Sequence, residues 1–321
     1  MEKVNILGKE FFENNKNNIE ILINGKKCEL SYNYKLKNGE NNIQIIIKNK
    51  ISNLTNMFFN CNSLKDIEGL KYLDVKEINN FSGIFVGCSS LSNLKPIQNW
   101  NVSNGTNFSY MFSWCSSVSD LTPLQNWNVC NGIDFSFMFS WCFSLSDLKP
   151  LKNWNVSNVN NFSFMFNECS SLSDLKSLQN WSVSNANDFS YMFYGCSSLS
   201  DLKPLQNWNV SNGNNFAYMF YLCSSLSDLR PLQNWNVSNA KDLSGMFYRC
   251  FSLWDLRPLQ NWNVSNVNDF SFMFCEWIFL SDLKPLQNWN ISKGNNFTNM
   301  FGWCPNLSAD SKEIYMKFKQ F

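Results

Sequence analysis

The stretch Phe162–Asp188 reads FSFMFNECSSLSDLKSLQNWSVSNAND, and its reading decides the fold. Moved by 27 positions in either direction, it lands on itself. Phe166 falls on Phe139 and Phe193, Cys169 on Cys142 and Cys196, and Trp181 on Trp154 and Trp208. The phenylalanine column runs from Phe58 to Phe301 through ten registers without insertion or deletion. The cysteine column is broken only at Trp277. A fixed period of this size marks stacked structural repeats. The chain therefore reads as a repeat solenoid of about ten coils, in which each coil buries its apolar side against the next.

Within a coil the apolar residues fall at nearly every third position: Leu145, Leu148, Leu151, Trp154, Val156, Val159 and Phe162. A single helix would favour a period of about 3.6 and a single strand a period of 2. Neither fits a whole coil, whereas a chain winding once round a shared core does. Leu145–Lys149 alternates, with Asp147 and Lys149 on one side and Leu148 on the other. This predicts a short parallel strand that builds a β ladder from coil to coil. The stacked aspartates would then lie beside stacked Lys and Arg and be neutralised by them. Pro150 and its equivalents, which lack an N–H, would end the ladder. The opposite arc, Asn-Phe-Ser-x-Met-Phe-x-x-Cys, reads either as a helical turn capped by Asn or Asp or as a second strand. Two asparagine columns, through Asn153 and Asn158, are expected to tie turn to turn, because an amide both donates and accepts.

The ends do not repeat. Residues 1–50 are expected to form an N-terminal β cap. Ile19–Ile23 and Cys28–Tyr32 alternate on either side of Asn24-Gly25, a strong hairpin signal. A second Asn-Gly pair precedes Ile43–Ile47, and a short helix or loop is expected near Phe11 and Phe12. Residues 51–307 carry the repeat. Residues 308–321 are expected to form a short helical C-terminal cap, with Ile314, Tyr315 and Phe318 on one side.

Composition narrows the function. Hydrophobic residues make up 44% and charged residues only 16%, with a formal net charge of +1. Such a chain has no field to attract nucleic acid or acidic lipid. No apolar run approaches the roughly 20 residues needed to span a bilayer. The N-terminus shows no h-region. Asn-x-Ser sequons recur at Asn155, Asn209 and Asn236 among others, so passage through a eukaryotic secretory pathway would offer glycans to many coils. The sequons favour a cytoplasmic location, or a bacterial origin. The alternative is the cell surface or secretion, by a route without a recognisable signal.

Catalytic chemistry is hard to assemble, since the chain has no histidine and no glycine-rich phosphate loop. One thiol per coil makes a row, not the tetrahedral cluster a zinc ion needs. The row reads as buried free thiols packing as small hydrophobes. Cys28, Cys130 and Cys275 lie off it and are the candidate reactive thiols. The aspartate column lacks the cation-free oxygen cluster of a calcium site. No catalytic residue, cofactor or metal is expected. The variable positions between Phe and Cys are more informative, because they carry Trp114, Trp141, Tyr194, Tyr221 and Tyr248. Exposed, these would be an interaction surface. Inward, they would be aromatic packing along a turn.

The motif Met-Phe-x-x-Cys-x-Ser-Leu-x-x-Leu, with Trp-Asn-Val-Ser-Asn-Val at Trp154–Val159, resembles the BspA-type leucine-rich-repeat surface proteins of mycoplasmas, other bacteria and some protists. The resemblance covers roughly residues 50–307. It implies a right-handed superhelix with a parallel sheet on its concave side, and roles in adhesion or protein binding without catalytic residues. The expected function is a non-enzymatic protein-protein interaction scaffold for a protein partner. The competing expectation is a surface adhesin that binds host or matrix proteins.

Overall fold

The computed structural model describes residues 3–319. The outermost residues of both expected caps lie outside that range. From Ile51 to Phe301 one continuous core of buried side chains runs through the coils. Neighbouring coils are joined by single parallel bridges between residues 27 apart, from Asn80↔Asn107 to Asp269↔Asn296. The chain is a repeat solenoid.

Three turns of a coil are opened by Asn or Asp side chains, save where Ser182 stands in the second position of its coil. Asp147 Oδ1 accepts the N–H of Lys149 at 2.8 Å, Asn155 Oδ1 that of Ser157 at 3.1 Å, and Asn161 Oδ1 that of Ser163 at 2.9 Å. Short acidic and amide side chains favour such turns because they reach a backbone N–H two residues on. The first of these opens a 3-10 turn, Lys149–Leu151. Nine such turns recur among the described residues.

This corrects the strand expected at Leu145–Lys149. Proline's fixed φ and missing N–H suit the first turn of a helix, where that N–H would have no partner. Pro150 thus starts a 3-10 turn instead of ending a strand. Among the described residues no strand lies in the repeats, and the pairing between coils is at Asn161 and its equivalents. The Asp column opens the turn and, in some coils, also pairs with the basic column beside it. Its ion pairs stay within one coil, as in Arg230–Asp228 and Arg257–Asp255, both 2.8 Å.

The arc from Phe162 to Cys169 is neither helix nor strand. It is a run of tight turns. Phe164 and Glu168 both take φ 58°, and Met165 N–H and Cys169 N–H bond back to Phe162 and Phe166 carbonyls at 3.2 and 3.1 Å. A positive φ at the third turn residue marks a type II turn. The alternate N–H groups point onward. Phe162, Phe164 and Phe166 donate to Asp188, Ser190 and Met192 of the next coil at 2.9, 2.9 and 3.0 Å. Every amide of the arc is thereby paired.

The core ties coils together through side chains as well. Trp181 Nε1 donates to the carbonyl of Leu151 at 3.2 Å, and Cys169 Sγ to that of Phe139 at 3.2 Å. Asn158 Nδ2 donates to Cys130 O at 2.8 Å. The Asn153 column, expected to do the same, is exposed and forms the bend after the 3-10 turn.

At the N-terminal end, β1 (Val4–Asn5) pairs with β4 (Asn33–Tyr34), and β2 (Ile19–Ile23) lies between β3 (Lys26–Lys27) and β5 (Ile43–Ile47). Asn24 and Gly25 take φ 51° and 78°, as the hairpin requires. The strand expected at Cys28–Tyr32 is absent, since β3 ends at Lys27. Helix α1 (Lys9–Asn15) buries Phe11 and Phe12, and Gly8 N–H meets the Met57 carbonyl of the first coil at 2.8 Å. At the other end α2 (Ala309–Lys319) covers the last coil. Phe318 packs 5.4 Å from Phe301. Ser311 Oγ donates to Ser281 O at 3.0 Å and accepts the Leu283 N–H at 2.9 Å.

Candidate functional site

The type II turns force side chains outward. In each arc the residues at Tyr110, Ser113 and Trp114, and at their equivalents 27 residues on, form three parallel columns on one face. The inward residues Phe108, Met111, Phe112 and Cys115 are fully buried. Non-glycine residues at positive φ cost about 1–2 kcal/mol each, so something must hold these side chains in place.

Stacking supplies it. Tyr110, Phe137, Phe164, Tyr191 and Tyr218 form one pile of rings, with centroids 4.3, 4.2, 4.2 and 4.9 Å apart. Aromatic pairs are worth about 0.5–1.5 kcal/mol beyond their burial, which offsets part of the φ cost. Sequence reasoning left these residues unexamined in the x of Phe-Ser-x-Met-Phe. The signal was available, because five consecutive coils place Tyr or Phe there.

The five aromatics that the sequence singled out fall in the other two columns. Trp114 and Trp141 stack at 4.2 Å, nearly parallel, and Trp114 is 48% exposed. Tyr194, Tyr221 and Tyr248 occupy the middle column and are half-buried. Tyr194 meets Tyr221 edge-on at 4.8 Å, and Tyr221 stacks on Tyr248 at 4.6 Å. The two groups are thus not one patch. The tryptophans stand near one end of the face and the tyrosines near the other.

Between them the middle column changes character. It reads Phe59, Val86, Ser113, Ser140, Asn167, Tyr194. Where it is small, a cleft of about 450 Å³ opens. Tyr110 and Phe137 stand on one side, Trp114 and Trp141 on the other, and the nearly buried Ser113 and Ser140 form the floor. Thr55, Asn56 and Phe59 close the end. No lining residue is charged.

The electrostatics of the face follow from partial burial. Desolvation, helped by the neighbouring Tyr218 and Asp242, pushes the Tyr191 phenol up to about 12. Desolvation does the same to Tyr248, also to about 12, against the opposing pull of Arg249. Arg249 Nε pairs with Glu276 at 3.0 Å. These shifts stabilise neutral phenols and prepare no acid or base near neutral pH.

The thiols also follow burial. Cys275, expected to be reactive, is fully buried, and desolvation pushes its thiol up to about 12, which opposes reactivity. Cys28 and Cys130 are half-exposed, and every cysteine is free. Among the described residues no cluster of acidic, cysteine or histidine side chains could hold a metal ion, and no helix is long and apolar enough to cross a membrane.

No curated protein matches the chain. A family model described as "Mycoplasma protein of unknown function, DUF285" matches it four times, at residues 52–175, 140–253, 170–282 and 225–317. The overlapping matches follow the coils across the repeat region. The chain therefore belongs to this repeated mycoplasma family, DUF285.

Proposed function

We propose that the chain is a non-enzymatic protein-binding scaffold of the leucine-rich-repeat type, which engages its partner through the face of tight turns. The observation that carries the reading is the set of outward ring columns flanking an uncharged cleft. Aromatic residues with few charges are the composition of an interface centre. Rings held in stacks have little side-chain freedom left to lose on binding. The kinship with BspA-type repeats rests on the Met-Phe-x-x-Cys and Trp-Asn-Val-Ser-Asn-Val motifs. That kinship favours a second reading, a surface adhesin. The cytoplasmic reading rests on the recurring sequons.

The test compares wild type with the variant Trp114→Ser/Trp141→Ser in affinity capture from the native cell. A partner retained by wild type and lost by the variant, with an unchanged melting temperature, supports the scaffold. Equal capture by both proteins rejects this face as the binding surface. Antibody labelling of intact cells separates the two locations.

A further inference from the structure

We propose that β5 is a self-pairing edge, to which a second copy of this chain adds its own β5 across a two-fold axis, making one continuous sheet. The surface uses none of the ring-column residues and goes beyond the protein-binding reading above. The sheet runs β3-β2-β5, so it has two edges. An open edge presents unpaired N–H and C=O groups, and proteins blunt such edges with short strands and lysine. The β3 edge is blunted in this way, by a strand of only Lys26 and Lys27, both exposed. The β5 edge is not. It is five residues long, reads Ile-Gln-Ile-Ile-Ile, and holds no charge and no proline.

The ladder fixes which groups this edge offers. Asn24 N–H donates to Asn42 O at 2.8 Å, and Lys48 N–H to Asn18 O at 2.9 Å. In an antiparallel pair, bonded and unbonded residues alternate. Gln44 and Ile46 therefore turn their backbone groups towards Leu22 and Glu20, their opposite numbers in β2. Ile43, Ile45 and Ile47 turn theirs to the outer edge, where no described strand pairs with them. Their side chains are half-buried against the core, and Ile46 on the other face is 45% exposed.

The chemistry of the edge specifies a second copy. A row of alternating donors and acceptors is complementary to itself when run antiparallel. With Ile45 opposite Ile45 of the second copy, Ile43 falls opposite Ile47, and all three residues exchange both bonds with an isoleucine. The same register sets Glu40 against Lys50. Both are exposed, and neither has an ion-pair partner among the described residues. Opposite charges facing across strands favour pairing, and like charges oppose it. Parallel pairing would instead bring Glu40 to Glu40 and Lys50 to Lys50. A contact in which both copies offer the same strand closes at two copies.

The experiment measures the mass of the intact protein by sedimentation over a dilution series, against the chain's 37.4 kDa. A dimer that dissociates on dilution is expected. Glu40→Lys should weaken it by about tenfold, since the two-fold axis places two exposed pairs in the contact. Glu40→Lys/Lys50→Glu should restore it. Ile45→Pro removes an outward N–H and leaves the bonds to β2 in place, so it should abolish the dimer. Should that variant fold poorly, the charge exchange still decides, because both of its positions are exposed. A monomer at every concentration, a dimer indifferent to these changes, or larger open-ended assemblies would each overturn the proposal. So would a monomer that retains a partner protein lost by Ile45→Pro, which would assign the edge to a partner's strand. Trp114→Ser/Trp141→Ser should dimerise like wild type, so failure of the ring face and failure of this edge are told apart.

Discussion

Trp277 donates its indole N–H to the carbonyl of Phe247 at 2.8 Å. In the preceding coil Cys250 Sγ donates to the equivalent carbonyl of Phe220 at 3.1 Å. One break in the cysteine column is thus a replacement of the donor and not a loss of the bond. The indole also packs against Phe274 at 5.2 Å and Phe247 at 6.3 Å, both edge-on.

Restoring the common residue should therefore do harm. Trp277→Cys keeps a weak donor but leaves much of a fully buried indole's volume empty. A loss of about 2–4 kcal/mol is expected, in the range of large-to-small core changes. Denaturant unfolding measures it, and unchanged stability would contradict the packing described here.

The asparagine columns should separate cleanly. Asn158→Ala removes a bond to the Cys130 carbonyl. Because Asn158 is exposed, water can reach the freed carbonyl, and the expected cost is about 0.5–1.5 kcal/mol. Asn153→Ala at the exposed bend should stay within about 0.5 kcal/mol of wild type. Equal effects at both positions would refute the distinction.

Alkaline pH should unfold the protein through its thiols. Burial pushes the Cys88 and Cys142 thiols up to about 12 from an ordinary 9.0. A folded-state pKa above the unfolded one gives stability that is complete below pH 9 and declines as pH rises towards 12. Each such thiol contributes a slope of about 1.4 kcal/mol per pH unit within that window. Cys142→Ala should flatten the slope by one proton, measured as unfolding free energy between pH 8 and 10.5. In native protein a thiol reagent should reach Cys28, Cys130 and Cys304 first, since these are half-exposed.

Glu168 should behave with the opposite practical consequence at neutral pH. Burial raises its carboxyl above the ordinary 4.5. The folded state therefore holds the proton more tightly, and stability falls as pH climbs from about that value through the raised one. Glu168→Gln should remove this decline and be more stable than wild type at pH 7. A melting profile from pH 4 to 8 tests it; a variant less stable at pH 7 would sink the argument.

Much of the interior was legible from residue types alone. Phe166, Cys169 and Trp181 recur at one spacing, and only stacked coils bring such columns together. The site was legible in part. Trp114 and Tyr194 stood out because their positions vary between coils, yet Tyr110 and Phe137, which flank the cleft, passed unnoticed inside an apolar run. The strand was misplaced because Leu148 and Leu151 fit an inward alternation as well as a 3-10 turn. Both put leucine inside, and the choice turned on how Asp147 and Pro150 treat the backbone.

The sequence by itself determined the 27-residue period, the columns that form the core and the pairing of like residues across coils. Periodicity carries that information because each side chain meets its own kind one coil away. Only the tertiary structure decided which backbone groups bond between coils, which side chains the type II turns push outward, and that Gly83, Ser113 and Ser140 leave a cleft beside Tyr110 and Trp114. Those outcomes depend on φ at single residues and on contacts with the neighbouring coil, and neither is written in local composition.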